Sequence, residues 1–306
     1  MRNPIDSEMK GSLLVLSGGV LWGVIGPFIQ VMAKLGASPI LISFLRMAFS
    51  FAILFVFIVA KFGIRAFRVD KKQLISAALL GLVCHGIYNV FYSIAVNETG
   101  VTVSAVLLNI APFFTAVTAV LLFHEKMNTT KVGILMINVL GCMLAATGGR
   151  LAFHSRSMIG LLCGLGAGFC YSMTAILGKI AGERSNVFVL STYSYLFATL
   201  FLLFYGKPWR EPGILNPGIL WVGFLYALIP TVIGYLLYYR GVQLIRESSK
   251  IPVIASSEMI VAGIIGILIL HEHVNAVRLL GIGCVFFSIL RMSKRKNEEK
   301  ATSVSG

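Results

Sequence analysis

The apolar residues of this chain fall into ten runs, each close to the length of about 20 residues that a helix needs to cross a bilayer, separated by short polar links. The spacing predicts helices near residues 12–33, 39–60, 73–96, 101–123, 131–149, 158–179, 187–205, 218–239, 251–270 and 275–291. Two of these runs end alike. Leu121-Leu122-Phe123-His124-Glu125-Lys126 and Ile267-Leu268-Ile269-Leu270-His271-Glu272-His273 both close on His-Glu and lead into another apolar run containing Gly, Gly141 in one case and Gly281 in the other. At the same offset of 147 positions Tyr88 falls on Tyr235, Tyr92 on Tyr239, Asn109 on Ser256 and Glu125 on Glu272. Near the start of each half the offset drifts by two, which sets Trp22 opposite Tyr171 and Gly19 opposite Gly168.

A duplication with an odd number of spans turns its second copy upside down in the membrane. The predicted fold is therefore all-α and integral to the membrane, with ten transmembrane helices arranged as two inverted five-helix repeats. The repeats cover residues 11–149 and 158–292, joined by the polar stretch Gly149 to Ser157, and a basic tail occupies 293–306.

Composition agrees with this pattern. A soluble globular chain is about 45 to 50% apolar and about 25% charged, whereas this one is 57% hydrophobic and 12% charged, with a mean hydropathy of +0.88. Ten spans leave almost no residues for a soluble domain. A net charge of +14 in a soluble protein would suggest nucleic acid, but here the distribution decides. Of the 26 Lys and Arg, 19 fall on the side that holds both termini, six on the other, and Arg46 lies inside a span. The positive-inside rule then puts both termini in the cytoplasm, with the chain a multi-pass protein of the cytoplasmic membrane. The tail Lys294-Arg295-Lys296 reads as a topology determinant against anionic lipid headgroups, and nucleic acid is not an expected partner.

The first apolar run lacks a small-residue cleavage site and is followed by nine more, so it reads as a retained helix. All five cysteines sit inside apolar spans without a C-x-x-C pair, as small buried residues and not as disulfides or metal ligands. No cofactor is expected: there is no H-E-x-x-H and no G-x-x-x-x-G-K-[ST] for an ATP-driven pump.

Leu21-Trp22-Gly23 in the first helix, Arg46 in the second, Asn109-Ile110-Ala111-Pro112 in the fourth, and Ser257-Glu258-Met259 in the ninth, with Glu125 and Glu272 closing the fourth and ninth helices, carry a resemblance. In order, spacing and doubling they resemble the paired EamA domains of the drug/metabolite transporter superfamily, over nearly the whole chain. The resemblance implies a ten-helix carrier with a central cavity that moves amino acids, nucleotide sugars, drugs or other small metabolites, often outward. One position departs from it. Where such proteins commonly have Glu-Pro in the ninth helix this chain has Glu258-Met259, which removes proline as the source of a break there.

Ionisable groups within a span cost about 2.5 to 3.5 kcal/mol on insertion scales, so they are rarely accidental. Arg46 and Glu258 are the two acid or base side chains well inside the predicted spans. At about 1.5 Å per residue each lies about 10 Å from a helix end, on opposite sides of the midplane, so each is expected to have its own partner. Glu258 reads either as a substrate-amine or proton site in a cavity, or as a hydrogen-bonded carboxyl tying helices together. Arg46 reads either as a ligand for a substrate carboxylate or phosphate, or as a side chain that snorkels or caps backbone carbonyls.

In the third helix His85, Tyr88, Asn89 and Tyr92 fall at i, i+3, i+4 and i+7 on one face. Such a face has to turn toward protein or a wet cavity; for His85 alone a satisfied core histidine is the better reading. Trp22 and Tyr171 lie about ten residues from either end of their helices, too deep for the interfacial aromatic belt, and read as cavity wall. Asn109 precedes Pro112 by three residues, so this turn can offer backbone and amide groups to a ligand or simply bond across helices. The two His-Glu ends read as anchors of helix ends and loops, and Gly160, Gly164 and Gly168 as a close-packing face.

The expected function is a secondary-active carrier, an exporter of a small metabolite, amino-acid-like compound or drug by alternating access, with Glu258 as the coupling candidate. Its substrate would bind among Trp22, Tyr88, Asn89, Tyr92, Asn109, Tyr171, Tyr235 and Glu258, with Arg46 and His85 as secondary candidates. Membrane lipids are the other expected partners, and a homodimer is left open. The rivals are an intramembrane enzyme acting on lipid, which would need two or more catalytic side chains at one depth, and a channel or scaffold.

Overall fold

A computed structural model describes residues 4–149, 157–182, 186–211, 214, 216–268 and 275–294. Among the described residues ten helices are long and apolar enough to cross a membrane: α1 Ser7–Lys34, α2 Pro39–Phe62, α3 Lys71–Thr99, α4 Val103–Phe123, α5 Thr129–Thr147, α6 Met158–Gly182, α7 Val187–Gly206, α8 Pro217–Leu244, α9 Ser248–Leu268 and α10 Ala276–Ser293. Among the described residues there is no strand. Side chains such as Leu121, Leu162 and Phe204 stand exposed around the outside. On a soluble protein this surface would aggregate; against lipid tails it is the solvated face.

Short polar caps start the helices. Ser38 accepts from the Leu41 N–H before α2, and Asp70 with Gln73 forms a complete capping box before α3. Asn128 accepts from the Lys131 N–H before α5, and Asn275, 147 positions later, accepts from the Arg278 N–H before α10. The same offset relates two irregular segments. α3 is π-helical over Leu80–Ile87 and α8 over Ala227–Ile233. Pro230 lies in the second, where the wide turn accommodates its missing N–H. The first has no proline, and Gly81 there packs against the Ser194 carbonyl of α7.

The two repeats interleave as inverted copies. α1 packs on α8 and α9, and α6 correspondingly on α3 and α4; α2 packs on α7 and on α8, and α5 on α10. The Gly160, Gly164, Gly168 face lies against Glu98, Thr99 and Leu107 of α3 and α4, as expected for a packing surface.

Two helices break midway at equivalent places. α4 is interrupted at Asn109 and Ile110, just before Pro112, and α9 at Ser256. The break in α9 exists without the proline. Ser256 Oγ donates to the Val253 carbonyl and accepts from Asn138 Nδ2 of α5 at 2.8 Å, while Ser257 Oγ donates to the Leu16 carbonyl of α1. Side-chain bonds to backbone carbonyls thus do what a proline ring would have done by sterics. α1 is also interrupted, between Trp22 and Ile25, whereas α6 runs unbroken from Met158 to Gly182.

Candidate functional site

The breaks and the π-helical turns lie at the middle of the bundle, and the predicted site residues gather around them. Trp22 sits at the end of the first half of α1, with its ring centroid 4.6 Å from Tyr235 and 4.8 Å from Tyr238 of α8. On its other side stands Tyr171 of α6, at 6.3 Å. Tyr171 is 5.8 Å from Tyr88 of α3, which stacks on Tyr92 at 6.0 Å with an interplanar angle of 16°. One chain of rings, Tyr92, Tyr88, Tyr171, Trp22, Tyr235, therefore runs through four helices and both repeats. Tyr88, Tyr92 and Tyr171 keep part of their surface accessible, as the wall of a cavity would.

Glu258 joins this wall two residues beyond the break in α9. The Tyr171 hydroxyl donates to its two carboxylate oxygens at 3.3 and 3.4 Å, and among the described residues it forms no ion pair. Arg46 holds the other charge, 5% exposed. Its Nη1 donates to the Tyr226 hydroxyl at 2.9 Å and its Nη2 to Asn89 Oδ1 at 3.2 Å, and the guanidinium lies over the Tyr226 ring. Asn89 Oδ1 also accepts from Ser43, and its amide donates to the His85 carbonyl. Arg46 and Glu258 thus have separate partners. Arg46 neither snorkels nor caps a backbone carbonyl; it ties α2 to α3 and to α8.

The stripe on α3 divides. Tyr88 and Tyr92 face the aromatic wall and Asn89 faces Arg46, whereas His85, inside the π-helical turn, is wholly buried among Tyr195, Tyr235 and Tyr239. His85 is a core histidine. Asn109 lies at the break in α4, where its amide donates to the Ala105 carbonyl of its own helix, at 2.8 Å, and, among the described residues, to no group on another helix. Residues that pattern alone did not single out complete the site, namely Tyr226, Tyr238, Tyr195 and Asn138. A buried guanidinium demands a partner, which signals a residue like Tyr226, but helix-to-helix register is not written in the chain's periodicity.

At the bundle end where α1 begins and α10 finishes, the repeats are joined by charge. Lys131 Nζ is 2.8 Å from Glu247, and Lys250 Nζ is 3.4 Å from Glu247 and 3.7 Å from Glu8. The Glu125 carboxylate accepts from the Ser249 N–H at 3.2 Å and its Oγ at 2.9 Å, and also from the Ser248 N–H. Lys179 Nζ donates to the Arg246 carbonyl and to Ser248 Oγ. The first His-Glu end therefore anchors the start of α9, while His271 and Glu272 lie outside the described residues. The five cysteines are free thiols. Among the described residues no three His, Cys, Asp or Glu side chains gather as a metal site.

The arrangement of two inverted five-helix halves is matched by comparison with known proteins. Residues 9–147 and 158–294 each match the EamA-like transporter family. The chain belongs to that family. Among curated relatives, an uncharacterized transporter of Archaeoglobus fulgidus is 23% identical over 281 residues, covering 92% of this chain and 95% of that protein. The uncharacterized transporter YwfM of Bacillus subtilis is 23% identical over 306 residues, covering 97% and 99% respectively. A solved crystal structure superposes with a TM-score of 0.77 at 13% identity, covering 93% of this chain and 96% of its own, which bears on the fold alone. This EamA-like protein is a multi-pass membrane transporter.

Proposed function

We propose that this EamA-like transporter is a secondary-active carrier that exports a small metabolite, an amino-acid-like compound or a drug by alternating access. The observation that carries this reading is Glu258: a midspan carboxyl with a tyrosine hydroxyl as its polar partner, at the end of an aromatic wall drawn from both repeats. A carboxyl so placed can bind a substrate amine or exchange a proton, and the rings supply apolar and cation-π contact to the rest of the molecule. Rocking one repeat against the other would open this wall alternately to either side. The 19-to-6 charge bias supports cytoplasmic termini, so the ion-paired end is read as the closed inner side. A lipid enzyme is disfavoured because Arg46 and Glu258, the charged groups deep within the spans, have separate partners and do not converge.

The test is counterflow in proteoliposomes, with a substrate first found by thermal-shift screening of metabolites and drugs. The wild type should show saturable, pH-dependent exchange of unmodified substrate, and Glu258→Gln should abolish the transport or its pH dependence. Unchanged pH-dependent flux in Glu258→Gln would remove the coupling role, and a chemically altered product would point to an enzyme.

A further inference from the structure

The link between α2 and α3 carries five cations, Lys61, Arg65, Arg68, Lys71 and Lys72, against one acid, Asp70. All five are exposed, and among the described residues none is in an ion pair. Asp70 is committed locally, its carboxylate accepting from the Gln73 N–H at 2.7 Å to start α3. At this link the surface opens into a cavity of about 140 Å³. Arg68, Gln73, Asn186 and Tyr193 give it polar walls, and Ala77 and Leu190 lie beneath them. The two sides belong to different repeats, pinned together by the Tyr193 hydroxyl donating to the Phe67 carbonyl at 2.8 Å.

We propose that this cavity binds the phosphate headgroup of an anionic phospholipid. Its depth fits, because α2 ends at Phe62 and α3 begins at Lys71, which sets the cavity at the boundary between hydrocarbon and water. Basic pockets between transmembrane helices at that level take anionic headgroups. Its border fits a lipid better than a soluble phosphate. Phe57 packs on Phe188, two residues from Asn186; it is exposed, as are Val56, Phe62 and Ile64 on the same helix end and link, and the Lys61 ammonium rests over the Phe57 and Phe62 rings. Acyl chains gain from lying on that apolar surface, whereas a free phosphate gains nothing from it. A headgroup held between Arg68 and the start of α7 bridges the two repeats, so binding should stabilise the assembled carrier. This inference is independent of the substrate reading.

The experiment uses the purified full chain in detergent, with a short-chain phosphatidylglycerol, the matching phosphatidylcholine and inorganic phosphate as probes, read by native mass spectrometry and melting temperature. Phosphatidylglycerol should bind and raise the melting temperature while phosphatidylcholine does not. Arg68→Gln should weaken binding about fivefold, the worth of one cation near an anionic surface. Ala66→Phe, which fills the cavity without changing charge, should weaken it at least as much. Arg68→Lys should largely restore it, and Arg240→Gln, an exposed cation away from the cavity, should leave it intact. Equal binding of the two lipids, an equal loss in Arg240→Gln, or competition by inorganic phosphate at matched concentration would each overturn the proposal. If Arg68→Gln does not fold, the Ala66→Phe and Arg68→Lys pair still decides it.

Discussion

The Lys131 ammonium of the first repeat lies 2.8 Å from the Glu247 carboxylate of the second. Lys131 is buried and Glu247 partly exposed, so removing the acid leaves a buried ammonium held by the Lys126 carbonyl, at 3.0 Å, but without its paired carboxylate. Breaking a fully buried pair costs about 3 to 5 kcal/mol; with Glu247 partly in water, about 1 to 2 kcal/mol is expected for Glu247→Gln. That loss should loosen the ion-paired end. In a cysteine-free background, a single cysteine at Val253, which is fully buried just inside this end, should react faster with a polar thiol reagent in Glu247→Gln than with Glu247 present. Equal rates would mean that the pair does not hold the end shut.

The same carboxylate sets a pH dependence. Burial pushes Glu247 up, but the Lys131 and Lys250 ammoniums outweigh that and hold it below its ordinary value of 4.5. A group whose folded value is depressed contributes stability above the unfolded value and loses it as pH falls through the folded one. Divided at each pH by the rate for the same cysteine in the unfolded chain, which removes the intrinsic dependence on thiolate, labelling of the Val253 cysteine should therefore stay flat between about pH 6 and pH 8 and rise only in acid below the usual carboxylate range. A rise near neutrality would assign the closure to another group.

Trp22 offers a probe of the aromatic wall. It is 4% exposed, whereas Trp209 and Trp221 are 54% and 63% exposed. With both of those changed to Phe, the remaining fluorescence reports on the aromatic wall, and a bound substrate should change its intensity saturably. Tyr171→Phe removes the hydrogen bond to Glu258 but keeps the ring, so it should weaken binding by about 0.5 to 1.5 kcal/mol, or about two- to tenfold. Tyr171→Ala, which also loses its ring contacts to Trp22 and Tyr88, should weaken it further. An unaltered titration in Tyr171→Ala would place the substrate elsewhere.

Much of this arrangement is legible in the chain. Ten apolar runs give the spans, and the recurrence of Tyr88 as Tyr235 and of the His-Glu ends gives the inverted repeat, because patterns of 3.6-residue period and long-range self-similarity survive in a one-dimensional reading. Depth is legible too, which is why Trp22 and Tyr171 could be set in the interior. Contacts across helices are not. Asn109 carries the right neighbours but bonds back to its own helix, and the π-helical turn in α3 swings His85 into the core and away from the face of Tyr88 and Tyr92. The break in α9 arises from Ser256 and Asn138, a pairing between residues 118 positions apart that no local motif announces.

Arg46 reaches across the repeats to Tyr226 while binding Asn89 within its own. A lysine keeps the charge but cannot make both bonds in the fixed fork of a guanidinium. Hydrogen bonds to charged groups are worth about 1.5 to 3 kcal/mol, so Arg46→Lys should lower thermal stability by about that amount. Tyr226→Phe should do so by less, and the double variant by less than the sum of the two. Additive losses in that cycle would show that Arg46 and Tyr226 do not act through each other.

The α5–α10 contact makes the last prediction. A Cβ placed on Gly281 would lie 2.4 Å from the Ala145 backbone nitrogen and 2.7 Å from the Gly141 carbonyl oxygen. Both are backbone atoms of a facing helix, so no rotamer change relieves the clash, and the helices must move apart. Overpacking of this kind costs about 1 to 3 kcal/mol, while lipid offers little hydrophobic drive to restore the contact. Gly281→Ala should lower the melting temperature of the purified transporter. Gly133→Ala, on the same α5 but with open space for 4 Å around the point where a Cβ would stand, should be neutral or slightly stabilising through the better helix propensity of Ala. Equal melting temperatures for the two variants would show that the helices are farther apart than the Gly141 and Gly281 backbones place them.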